Sequence, residues 1–72
     1  MTNRQNKGRN TRTAPPPAQI KAARRAAGLS QTEAGERVGV ALRTWQQWEA
    51  GDRRIPMSAW ELFAIKTSGD GV

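Results

Sequence analysis

The chain has 72 residues, enough for one small domain with a modest core. It holds neither cysteine nor histidine, which removes disulfide staples, thiolate nucleophiles and the commonest general base and metal ligand. Twelve Lys and Arg against six Asp and Glu give a net charge of +6, so a partner of dense negative charge is expected, with nucleic acid ahead of an anionic membrane surface or of solubility alone. No apolar run approaches the roughly 20 residues of a membrane span, and no apolar h-region follows the basic N-terminus. A reducing cytoplasm fits these features, and neither a cofactor nor a metal is expected.

The N-terminal stretch MTNRQNKGRNTRTAPPP carries Arg4, Lys7, Arg9 and Arg12, no acid, and only Ala14 as an apolar residue besides Met1 and the prolines. Too little apolar surface is available there to offset the entropy of ordering, so residues 1–16 read as a disordered basic arm. Pro15 to Pro17 favour extended backbone and end it. The segment AQIKAARRAA is rich in helix formers and stops at Gly28. Ser30-Gln31-Thr32-Glu33 fits a capping box that opens a second helix, Gln31 to about Val38, ended by Gly39. A third helix is expected from about Ala41 to Ala50, stopped by Gly51. Pro56 suits the first turn of a fourth, which runs to about Lys66. No sustained period-two alternation marks a strand. The expectation is an all-α, four-helix domain over 17–67, followed by a frayed tail over 68–72.

On a wheel of about 100° per residue, Trp45 and Trp48 lie about 60° apart on one face of the third helix, with Ala41 between them. Gln46 and Gln47 lie about 130° from the centre of that face, and Arg43 lies almost opposite it. The tryptophans therefore anchor the helix, while Arg43, Gln46 and Gln47 form its front. Arg and Gln are the side chains whose donors and acceptors match the edges of guanine and adenine. Taken alone, a helix with one buried and one solvated face is ordinary. The tryptophans as base-stacking platforms for single strands are the weaker reading, because they share one apolar face.

The neighbourhood adds a family resemblance. GLSQTEAGERVGV and WEAGDRR resemble two motifs of the Cro- and lambda-repressor-like, or XRE-type, helix-turn-helix family, and the likeness covers about Ile20 to Lys66. It implies that the third helix enters the major groove of DNA and that Arg43, Gln46 and Gln47 face the bases. Leu42, at the edge of that face, would meet a thymine methyl. It also implies phosphate contacts from Gln31, Thr44, Arg53 and Arg54, and an ion pair between Arg24 and Glu49 that joins two helices. The chain departs from the family at several points. Gly35 stands where alanine is usual, which suggests a close approach that makes room for Trp45. Trp45 and Trp48 stand where Ile or Leu is usual. Ala41 stands near a usual Ser or Thr cap, and DRRIP is one residue longer than the common loop. Two readings of the basic arm stay open: one lays it along phosphates or into a minor groove, the other makes it a solubilising tail.

PMSAWELFAIK carries more apolar surface than one stripe needs. A homodimer through Trp60, Leu62 and Phe63 is therefore expected, which would set two recognition helices about one DNA turn apart on an inverted-repeat operator. The leading expectation is a sequence-specific DNA-binding transcriptional repressor, an autoregulator from a phage, plasmid or other mobile element. It would act in the cytoplasm at a bacterial or phage nucleoid. The alternatives are an antitoxin-like module that neutralises a partner protein and a small RNA binder that uses the arm. An enzyme is not expected: His, Cys and Tyr are absent and the carboxylates form no visible pair.

Overall fold

A computed structural model of the protein describes residues 14–69. Four helices follow in chain order: α1 Pro17–Ala26, α2 Gln31–Arg37, α3 Leu42–Ala50 and α4 Met57–Gly69. No strand occurs among the described residues. Local chemistry fixes most boundaries. Pro17 opens α1 where its missing N–H costs nothing. Ser30 and Glu33 form the expected capping box: the Ser30 hydroxyl accepts from the Glu33 N–H at 3.1 Å, and the Glu33 carboxylate accepts from the Ser30 N–H at 2.9 Å. The turn after α2 closes with Gly39 at φ 75°, a conformation that costs a residue with a Cβ. Its N–H reaches the Glu36 carbonyl and the Val40 N–H reaches that of Gly35, which satisfies carbonyls the helix end would leave orphaned.

Two boundaries differ from the sequence reading. Ala41 is not part of α3: it is the extended N-cap residue, exposed, with no side-chain bond to offer the helix. It therefore does not share the tryptophan face. At the other end, α4 continues past Lys66 to Gly69, and the Thr67 hydroxyl donates back to the Phe63 carbonyl at 2.8 Å. Of the expected frayed tail, Ser68 and Gly69 are thus helical and residues 70–72 lie outside the described residues. Of the expected arm, residues 1–13 lie outside them. Ala14 packs against the core and Pro15 is half-buried, so ordered chain begins before residue 17.

The core is Ile20, Ala34, Trp45, Trp48, Ile55 and Phe63. Trp45 sits at its centre with no exposed surface, its ring 5.4 Å from Trp48 and 5.0 Å from Phe63, each pair tilted. Offset and tilted ring pairs of this kind add to the large area that each aromatic buries. Phe63 is 1 % exposed within the single chain, so it is a core residue and not a contact between two copies. The reason is geometric: α4 turns Phe63 onto Trp45 and leaves Leu62 and Ile65 outside, 37 % and 66 % exposed.

Gly35 is buried where α2 meets the turn into α3. A Cβ there would stand 2.9 Å from the Val40 carbonyl oxygen, closer than van der Waals contact allows. The close approach that glycine permits is therefore made by the turn's own backbone, and not by Trp45 as the sequence suggested.

Candidate nucleic-acid interface

The helix α3 is short and must be held at a fixed angle if its outer face is to present side chains in register. A largely buried carboxylate does much of this. Glu49, one turn beyond Trp45, accepts the Trp45 indole N–H at 2.6 Å through Oε2. The same oxygen accepts Arg24 Nε of α1 at 2.6 Å, and Oε1 accepts Arg24 Nη2 at 3.2 Å. Oε1 also accepts Gln31 Nε2 of α2 at 3.0 Å. One carboxylate thus joins three helices. Arg24 uses its remaining reach to donate to the Leu29 carbonyl at 3.0 Å, beyond the end of its own helix. The pair is nearly dry, with Arg24 and Glu49 side chains 12 % and 6 % exposed. Burial pushes the Glu49 carboxyl up, but the hydrogen bonds from Arg24, Trp45 and Gln31 outweigh it and hold the carboxyl below its ordinary range.

This node orders the polar surface beside it. A carboxylate only accepts, so the Gln31 amide nitrogen must face Glu49 and its oxygen must face outward. That oxygen accepts Gln46 Nε2 at 3.3 Å. Gln46 is therefore bound to α2 by one amide hydrogen, and the residue remains exposed. Arg43 and Leu42 are exposed, Gln47 and Thr44 half-buried. Arg53 and Arg54 are exposed on the loop that follows α3, where the Asp52 and Arg53 N–H groups cap the Gln47 carbonyl at 3.0 and 3.3 Å. Glu33, at the start of α2, is held below its ordinary range by the Ser30 backbone N–H first and the Ser30 hydroxyl second.

The wheel had separated Trp45 and Trp48 from Arg43, Gln46 and Gln47, and the folded chain keeps that separation. It brings Gln31, Gln46, Glu49 and Arg24 into one network. It leaves Arg53 and Arg54 apart from that network, at the far end of α3. The indole bond to Glu49 was missed in the sequence, although the four-residue spacing of Trp45 and Glu49 carried the signal. The Gln31–Gln46 bond had no such signal, since it spans two helices. No helix among the described residues is long and apolar enough to cross a membrane.

A family model described as a helix-turn-helix domain matches residues 18–64, most of the chain. The chain belongs to the helix-turn-helix domain family. The match runs from the start of α1 into α4, so the helix-turn-helix unit, α2 and α3, lies well inside it. A helix-turn-helix domain is a DNA-binding module, and in that general sense the protein is a DNA-binding regulator; such domains are typically not enzymes. No curated protein matches the chain.

Proposed function

We propose that this helix-turn-helix protein is a sequence-specific transcriptional repressor of the Cro- and lambda-repressor-like type. It reads an inverted-repeat operator by placing α3 in the major groove. The observation that carries the reading is the rigid presentation of α3: two buried tryptophans and the Glu49 node fix its back, and Arg43 and Gln47 are left on its front. Arg43, Gln46 and Gln47 read bases, with Leu42 against a thymine methyl. Gln31, Thr44, Arg53 and Arg54 hold phosphates. A bidentate base contact is worth roughly 1–3 kcal/mol of discrimination, whereas a phosphate contact strengthens all sequences alike. Two copies pair through the outward Leu62 and Ile65 of α4, with half-buried Trp60 at the edge. In this reading the protein autoregulates a phage, plasmid or mobile-element operon, acting where the DNA is, in the cytoplasm.

Selection of duplexes from a random library tests the reading. An enriched inverted repeat, found again upstream of the protein's own gene, supports it. On that operator Arg43→Ala and Gln47→Ala should lower specific binding far more than binding to random DNA, and Arg53→Ala should lower both. A specific-to-random ratio untouched by Arg43→Ala and Gln47→Ala would make that face merely solvated. The second reading, an antitoxin-like module for a partner protein, draws on the same exposed Leu62 and Ile65. Co-purification of a tight protein partner with no duplex enrichment would favour it.

A further inference from the structure

The hydrogen bonds that run outward from Glu49 have a direction. Its carboxyl is held below the ordinary range, so it is ionised at neutral pH and only accepts. Gln31 must therefore point Nε2 at Glu49 Oε1, 3.0 Å away. Its own Oε1 accepts Gln46 Nε2 at 3.3 Å. Turning the Gln46 amide over would set oxygen against oxygen across that contact. Turning Gln31 over would set its oxygen against the carboxylate. The inner bond is the stronger of the two, because it ends on a charge. The polarity of both amides is thus decided at Glu49, whose side chain is only 6 % exposed.

This polarity limits what Gln46 can recognise. A free glutamine amide has two hydrogens to donate and an oxygen that accepts, and it can turn over to suit its partner. In Gln46, exposed on α3, one hydrogen is committed to Gln31. The oxygen keeps its full capacity to accept, and one hydrogen remains to donate. In the major groove guanine presents two acceptors, thymine one acceptor, cytosine an amino donor, and adenine an amino donor beside an acceptor. An amide held in this way suits the amino bases. Adenine matches both of its remaining groups, whereas guanine asks it for two hydrogens.

We propose that Glu49 is a positioning residue for base reading: through Gln31 it fixes the polarity of the Gln46 amide, and so commits Gln46 to adenine and against guanine. The inference rests on the DNA-binding reading above and deepens it. It makes a carboxylate that would touch no DNA a determinant of sequence preference. It also gives Gln31 a task apart from holding phosphate, for which one amide hydrogen is left.

Selection from a random duplex library with wild type and Gln46→Ala locates the position that Gln46 reads, as the one where the variant alone loses its preference. There wild type should prefer adenine to guanine by at least about fivefold. Gln31→Ala leaves the Arg24 and Trp45 bonds to Glu49 in place and frees the Gln46 amide. It should reduce that preference by about threefold or more and spare the other positions. Glu49→Gln, assayed below its melt, lets Gln31 turn over and Gln46 follow. Gln46 then has two hydrogens to donate, and the preference should move towards guanine. In spectra of the free protein, the Gln46 side-chain amide resonances should shift in Gln31→Ala. Unmoved resonances overturn the relay without any DNA. The inference also falls if no position depends on Gln46, if wild type prefers guanine there, or if Glu49→Gln keeps the adenine preference. Should Gln31→Ala weaken all duplexes alike, lower the salt slope by about one and keep the preference, Gln31 is a phosphate contact only. The inference is then overturned and the proposed function stands. A wild type that enriches no duplex removes both this inference and the function on which it rests.

Discussion

Replacing Glu49 by Gln changes two atoms in size hardly at all and removes the charge that three helices share. In the wild type its two oxygens accept four hydrogen bonds, from Arg24 Nε and Nη2, Trp45 Nε1 and Gln31 Nε2. Gln offers one oxygen, which can keep the Arg24 Nε and Trp45 bonds. Its amide nitrogen then faces Arg24 Nη2 and Gln31 Nε2, donor against donor. Gln31 relieves this only by flipping its amide, which puts its nitrogen against Gln46 Nε2 and forces Gln46 to flip in turn. Arg24, only 12 % exposed, is left without a counter-charge. Breaking a buried pair by removing one partner costs about 3–5 kcal/mol, and the retained bonds place Glu49→Gln near the lower end, at about 3 kcal/mol. For a domain of this size 1 kcal/mol shifts Tm by roughly 4–8 °C, so the melt at pH 7 should fall by roughly 12–24 °C. The pH dependence has a definite sign. The folded-state carboxyl lies below its ordinary range, so its contribution is present above the unfolded carboxylate pKa of about 4.3 and is lost as pH falls through the lower folded value. The gap between wild type and Glu49→Gln should therefore narrow below about pH 4. Calorimetry from pH 3 to pH 7 reads both effects. A variant that melts within about 2 °C of wild type at pH 7, or a gap that stays constant into acid, would refute the idea that this charge holds the helices together.

Gly35→Ala sets a gain against a loss: alanine improves helix propensity by about 1 kcal/mol, but its Cβ would meet the Val40 carbonyl at 2.9 Å and overpacking costs about 1–3 kcal/mol. A net destabilisation is expected in a denaturant titration, and a gain would mean the turn moves aside freely. Ser30→Ala removes the cap on α2 and should cost about 1 kcal/mol, read as a lower denaturation midpoint at unchanged m-value. Leu62→Lys with Ile65→Lys alters only side chains that already face solvent, so the melt of dilute protein should hold while sedimentation on an operator with two half-sites shifts from two copies per duplex towards one. Phe63→Ala should act oppositely, lowering stability by about 3–5 kcal/mol as a cavity in the core whatever the state of association.

The sequence alone determined most of the places where helices start and stop, because those signals are local; the start of α3 and the end of α4 are the exceptions. Ser30 with Glu33 three residues on and glycines just past the ends of α1, α2 and α3 each act within one turn of chain. The same holds for the two faces of α3, since a 3.6-residue period places Trp45 and Trp48 together and Arg43 opposite wherever the helix is set. Even Ala41 as a failed cap was legible, although its exposure was not. Tertiary structure decided what depends on residues far apart in the chain. Arg24, Gln31 and Glu49 lie on three different helices, and only their packing angle makes one carboxylate the acceptor for all of them. Phe63 and Leu62 are neighbours of equal hydrophobic promise, and the docking of α4 on Trp45 alone sends the first inward and the second outward. Gly35 is required by the carbonyl of a turn five residues on, a contact that no propensity encodes. The prolines that read as the end of an arm acquire a wall to rest against only once α3 brings Trp48 and Gly51 alongside. Burial, acceptor sharing and close backbone approach are properties of the assembled interior, and a one-dimensional pattern of helix signals does not contain them.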